Sequence, residues 1–281
     1  MTGIVRERLF LDTVLNAVSP ETQKSMHAFE ESIARAEGVL REYHKARPSV
    51  FTGQVEDPLA AIRENARLVF TMTWTKAILF SRSIIDSMND GNLLVSFQSL
   101  RSYLELVAAA RYTVKRMEPL VNEAVSSGQV SNDAARSLSN QMEILLHGGR
   151  FNWEVFFLEG AAGVIDRKRM KRTQQEKAKF ETNNLRIGKC IKDWGKESPS
   201  AEFIYDYLCD LVHPNKGSNL VLLVEEIDGP VFDVKGESRM GMIIFERIFP
   251  YAVSACIGAM TETQPFFGML GADEQEKKDI H

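Results

Sequence analysis

Cysteine and histidine are scarce in this chain, with three and five copies among 281 residues. Cys190, Cys209 and Cys256 lie far apart, are odd in number and show no CxxC spacing, which excludes a disulfide framework and points to free thiols in a reducing compartment. No GxSxG elbow occurs, and no glycine-rich segment has the spacing and lysine of a P-loop. Positive charge is not in excess: 34 lysines and arginines against 38 acids leave a net charge of −4. The chain therefore lacks a global field that attracts nucleic acid, and any such contact must come from a local patch. Long uninterrupted apolar runs are missing as well. The opening MTGIVRERLFLDTVL is broken by Arg6, Glu7, Arg8 and Asp12, unlike the core of a signal peptide. Gly241 to Met260 contains Glu246, Arg247 and Pro250, so it reads as a buried helix rather than one of the roughly 20-residue apolar runs that span a bilayer. The expectation is a cytoplasmic protein without membrane contact. Strand signals are also rare, and this sets the fold class.

What the chain does have is helical periodicity in an ordinary globular composition, 44% hydrophobic and 26% charged. From Pro20 to Arg47, Met26, Phe29, Ile33, Ala36, Leu40 and Tyr43 recur at steps of three and four, the spacing of one apolar helix face. Ser19-Pro20 suits the start of that helix and Arg47-Pro48 its end. A second long helix is predicted from Asp57 to Met88, broken by Asn89-Asp-Gly-Asn92. A third is predicted from about Leu93 to Met117, with Phe97, Leu100, Leu104, Val107 and Ala108 on one face. Helix is further expected after Ser131-Asn132, from about Gln174 to Trp194, from Ser198-Pro199 to His213, and from about Arg239 to Thr263. Only 219–235, two short β-branched runs around Asp228-Gly-Pro230, reads as a β-hairpin. The chain is thus expected to be all-α with one small hairpin. It divides into a helical extension at 1–55, a helical body at 56–265 and a polar tail at 266–281.

Several constellations carry chemistry. Arg82-Ser-Ile-Ile-Asp86 and Arg101-Ser-Tyr-Leu-Glu105 echo each other, each placing an arginine one helical turn before a carboxylate. Arg101 lies among Leu100, Tyr103, Leu104 and Val107, so it is expected to be partly buried and to need a partner. Glu202, Asp206, Asp210 and His213 form a polar stripe, with Phe203, Ile204, Tyr207, Leu208 and Leu211 expected on the core side. Asp210-x-x-His213 has the spacing of a helical metal pair, but the body holds no second pair, and no metal or cofactor is expected. Cys209 sits one turn before His213, beside Asp210, whose charge disfavours a thiolate. His147-Gly-Gly-Arg150 ends a helix and leads to Phe151 and Trp153; Arg150 is a candidate ligand contact. Arg167-Lys168-Arg169-Met-Lys-Arg172 is a local basic run able to meet RNA phosphates, with stacking aromatics just upstream. His213-Pro-Asn215-Lys216-Gly gathers an imidazole, an amide and an ammonium at a helix end.

The arginine-x-x-x-acid helix in an early hairpin, followed much later by Tyr205-x-x-Leu208-x-x-x-x-His213-Pro214, resembles the HEPN-type superfamily, in particular a bacterial branch whose late helix ends in histidine-proline. The matching stretches are Ser99 to Tyr112 and Tyr205 to Asn219, within a looser likeness from Asp57 to Met260. The resemblance implies an up-and-down helical bundle, a homodimer, and a cleft between late helices of two subunits. Many such proteins are metal-independent RNases of toxin or antiphage systems, with an arginine separated from the histidine by four to six intervening residues. Here those positions hold Asp206, Tyr207 and Leu208. The first expectation is therefore a bundle that binds a partner protein, nucleotide or RNA in bacterial defence or stress response. The alternative is an endoribonuclease with His213 as general acid/base, Arg101 as phosphate clamp and Glu105 beside it.

Overall fold

The computed structural model describes residues 9–46, 58–127, 131–147, 185–214, 216–225, 231–232 and 238–271. The described chain is overwhelmingly helical. Its order is α1 (Asp12–Asn16), α2 (Pro20–Ala46), α3 (Pro58–Asn89), α4 (Leu93–Ser127), α5 (Asn132–His147), α6 (Ile187–Gly195), α7 (Pro199–Val212), α8 (Lys216–Val221), β1 (Leu223–Glu225), β2 (Val231–Phe232) and α9 (Arg239–Gly271).

The helix limits have local causes. Ser19 caps α2, its Oγ accepting the Thr22 N–H at 3.4 Å. Ser198 precedes Pro199 at the first position of α7 but makes no capping bond; its hydroxyl lies 3.1 Å from that of Ser200 instead. The break between α3 and α4 uses Gly91 at φ 72°, a left-handed conformation that glycine adopts without steric cost. Two helices outrun expectation. α4 continues past Met117 to Ser127, accommodating Pro119, and α9 continues past Thr263 to Gly271. The hairpin span also needs correcting at its start, because residues 219–221 are the last turns of α8. Val221 is buried there, so tertiary burial has overridden the β-propensity of the run. Beyond it Leu223 pairs with Phe232 and Glu225 with Val231, antiparallel and with a register shift between them. Residues 226–230 and 233–237 lie outside the described set, as do most of the predicted helix from 174 and residues 272–281; the first part of the predicted polar tail, 266–271, is instead the end of α9, with Phe266 buried.

The chain forms two compact units, and boundaries between them fall inside α3, α4, α6 and α9. The first comprises Met1–Phe51, Thr71–Arg111 and Ile191–Glu262. Its core is aromatic. Phe245 stacks on Phe249 at 4.5 Å, Phe249 meets the edges of Phe10 and Phe29, Phe29 meets Tyr103, and Phe97 meets Phe245. Each of these rings is at least nine-tenths buried, and such pairs add to their burial roughly 0.5–1.5 kcal/mol each. The N-terminal segment is therefore core rather than an appended extension. Polar bonds hold it in place: Glu30 accepts the N–H groups of Leu9 and Phe10, Asn89 brackets Leu9 and Leu11, and Glu246 accepts the Ser19 N–H.

The second unit comprises Thr52–Phe70, Tyr112–Cys190 and Thr263–His281. Its described buried residues include Ile62, Ala66, Val69, Met117, Leu138 and Met142. Arg116 and Lys189 both approach the ring of Tyr112, at 5.5 and 5.7 Å. Two segments, Ile62–Asn89 and Arg239–Phe266, are long and apolar enough to cross a membrane by length and composition, a property shared with the core helices of soluble proteins.

Candidate functional site

Within the first unit, α4 places Arg101 and Glu105 one turn apart, with Arg101 Nη2 3.1 Å from Glu105 Oε1. The pair is partly buried, at 19% and 28% side-chain exposure. From α7, the Tyr205 hydroxyl donates to Glu105 Oε1 at 3.2 Å, and the Arg101 guanidinium lies 5.7 Å from the centre of the Tyr205 ring. Cys209, half-buried one turn later, faces the same group. Burial alone would lower the Arg101 pKa. Hydrogen bonding to Tyr205 and the charge of Glu105 outweigh it and hold the guanidinium above its ordinary value. Burial pushes the Tyr205 phenol up to about 12; Arg101 opposes the rise, while Cys209 and Glu105 add to it. Arg101 Nε is buried without a hydrogen-bond partner.

His213 is the C-cap of α7. Its backbone leaves the helix at φ −87°, ψ 152°, and its N–H closes the last turn on the Cys209 carbonyl at 3.2 Å. The imidazole is exposed and has no hydrogen-bond or ion-pair partner among the described residues. The structure thus joins Arg101 and Glu105 to Tyr205 and Cys209, and His213 is not part of that group. Lys216 is exposed at the first position of α8. Asn215, Arg150, Arg167, Lys168 and Arg169 lie outside the described residues, as do the aromatics after His147. The turn closes tightly because of Gly217: a Cβ there would lie 2.7 Å from the Asp210 carbonyl oxygen.

Two expectations about side-chain direction change. Arg82 does not pair down its own helix; it bonds Glu37 on α2 through Nε at 3.1 Å and Nη2 at 2.5 Å. Phe203 and Tyr207 are not core residues but are 66% and 46% exposed. α7 buries Ala201, Ile204, Leu208 and Leu211, and a residue just before each core position is turned about 100° away from that stripe. The sequence reading also missed Arg111, which is 16% exposed and bridges Glu197 after α6 and Glu262 on α9. Its partners lie 86 and 151 residues away, and no local spacing announces them. No three histidine, cysteine or acidic residues are grouped to hold a metal ion among the described residues.

Compared with known proteins, the chain matches no family model, no curated protein and no solved structure.

Proposed function

We propose that this chain is a HEPN-like up-and-down bundle, cytoplasmic and homodimeric, that acts by binding a partner protein rather than by cleaving RNA. The setting suggested by its resemblance is bacterial defence or stress response. One observation carries this reading: Arg101 is engaged by Glu105 and Tyr205, while His213 stands exposed with no group among the described residues to orient it. A general acid/base needs a fixed imidazole and a cation free to hold phosphate charge. To serve as that cation, Arg101 would have to leave two partners in a partly buried site. The composition of α7 supports a protein over a phosphate ligand, since it carries Glu202, Asp206 and Asp210 and neither lysine nor arginine.

The test is incubation of metal-free protein with several structured RNAs across about pH 5 to 9. No cleavage is expected. Cleavage lost in both His213→Ala and Arg101→Ala, with folding intact, would establish the nuclease alternative instead. Sedimentation checks the assembly: a species at the 31.7 kDa chain mass at every concentration removes the dimer.

A further inference from the structure

α7 has a second face that neither the core nor the Arg101 group uses. Phe203, Asp206, Tyr207 and Asp210 occur at i, i+3, i+4 and i+7, so they form one contiguous patch. All four are exposed. The two rings sit 5.6 Å apart, tilted by 46°, so they support each other and still present their surfaces to solvent. Asp206 has no hydrogen-bond or ion-pair partner among the described residues.

Taking as its basis the reading that the protein works by binding a partner protein, we infer that this patch docks an arginine-bearing peptide segment of that partner. Charge complementarity selects the occupant. Aromatic faces attract a cation and the Asp206 carboxylate pairs with it, so both halves of the patch favour the same ligand group. Guanidinium fits better than ammonium, because it is planar, stacks on rings and meets a carboxylate through two parallel hydrogen bonds. Nucleic acid is disfavoured: its bases would stack on Phe203 and Tyr207, but its phosphates would face Asp206 and Asp210. A second copy is disfavoured too, since a two-fold contact through this face sets like charges against each other.

The experiment is fluorescence anisotropy of a labelled peptide alternating arginine and leucine, titrated with the intact chain. Saturable binding is expected, weakened about tenfold in Phe203→Ala and in Asp206→Asn, retained in Phe203→Tyr, and weaker for a lysine version of the peptide. Both positions are exposed, so neither loss is expected to reflect unfolding, and circular dichroism checks this. Equal affinity for wild type and Phe203→Ala, or no saturable binding, overturns the inference. So does self-association that Phe203→Ala abolishes, which would assign the patch to a second copy. The two readings fail separately. RNA cleavage dependent on His213, with peptide binding intact, removes the binding-only function and leaves the patch. Absence of both cleavage and peptide binding removes the patch alone.

Discussion

The Tyr205 hydroxyl on α7 reaches Glu105 Oε1 on α4 at 3.2 Å, and the same ring lies 5.7 Å from the Arg101 guanidinium. A single phenol therefore contacts both members of an ion pair that lies about 100 residues away in the chain. This arrangement satisfies charges that α4 carries into a partly apolar setting.

Removing the phenol oxygen should be felt by both partners. Tyr205→Phe is expected to lower unfolding free energy by about 1 kcal/mol. Combined with Arg101→Met, it should show a coupling of roughly 0.5–1 kcal/mol in a double-mutant cycle followed by urea unfolding. Strict additivity would mean that the two side chains act independently.

Glycine positions separate close packing from helix propensity. At Gly217 a Cβ would press on the Asp210 carbonyl, so Gly217→Ala should destabilise by about 1–3 kcal/mol. At Gly258, inside α9, a Cβ meets nothing within 4 Å. Gly258→Ala should therefore stabilise by roughly 0.5–1 kcal/mol. Denaturant midpoints moving in the same direction for both variants would contradict this assignment.

Arg111 holds two acids that are 45% and 62% exposed, so the energy it contributes should be modest and sensitive to salt. Arg111→Met is expected to cost about 1 kcal/mol at low ionic strength, with the difference from wild type shrinking in about 1 M salt. A salt-independent loss would point to packing of the arginine stem rather than its charge.

Alkaline pH should unfold the protein through groups kept protonated by burial. Cys256 and Tyr103 are held above their ordinary values of 9.0 and 10.0, and Tyr205 is pushed up to about 12. For an acid whose folded pKa is raised, the folded state binds more protons than the unfolded chain between the two values. Stability then falls as pH rises through that interval. The contribution is complete below about pH 9 and declines above it, first through Cys256 and then through the two tyrosines. Urea midpoints measured from about pH 8 to pH 11 should decrease steadily, and Cys256→Ser should blunt the first part of the decline. A flat profile would refute the burial argument.

Much of the architecture was legible locally. The α2 seam of Met26, Phe29, Ile33 and Ala36 is buried as its spacing requires, and Phe97, Leu100, Leu104, Val107 and Ala108 form the buried face of α4. The Arg101–Glu105 pair follows from a one-turn spacing that any α-helix produces. Arg82 has the same spacing to Asp86 and yet takes Glu37, because a facing helix offers a carboxylate that its own sequence neighbourhood does not encode.

By itself the sequence determined the helices, their main breaks and the apolar faces that seek burial, because backbone hydrogen bonding and side-chain periodicity act over a few residues. Tertiary structure decided where those faces meet. It drew Phe10 and Phe29 into one core with Phe249 and placed Tyr205 over Arg101. It also left Phe203 and Tyr207 in solvent, although their helix is otherwise built to bury apolar residues. Each of these outcomes depends on groups far apart in the chain. Their pairing is set by shape and charge across helices, which no local pattern records.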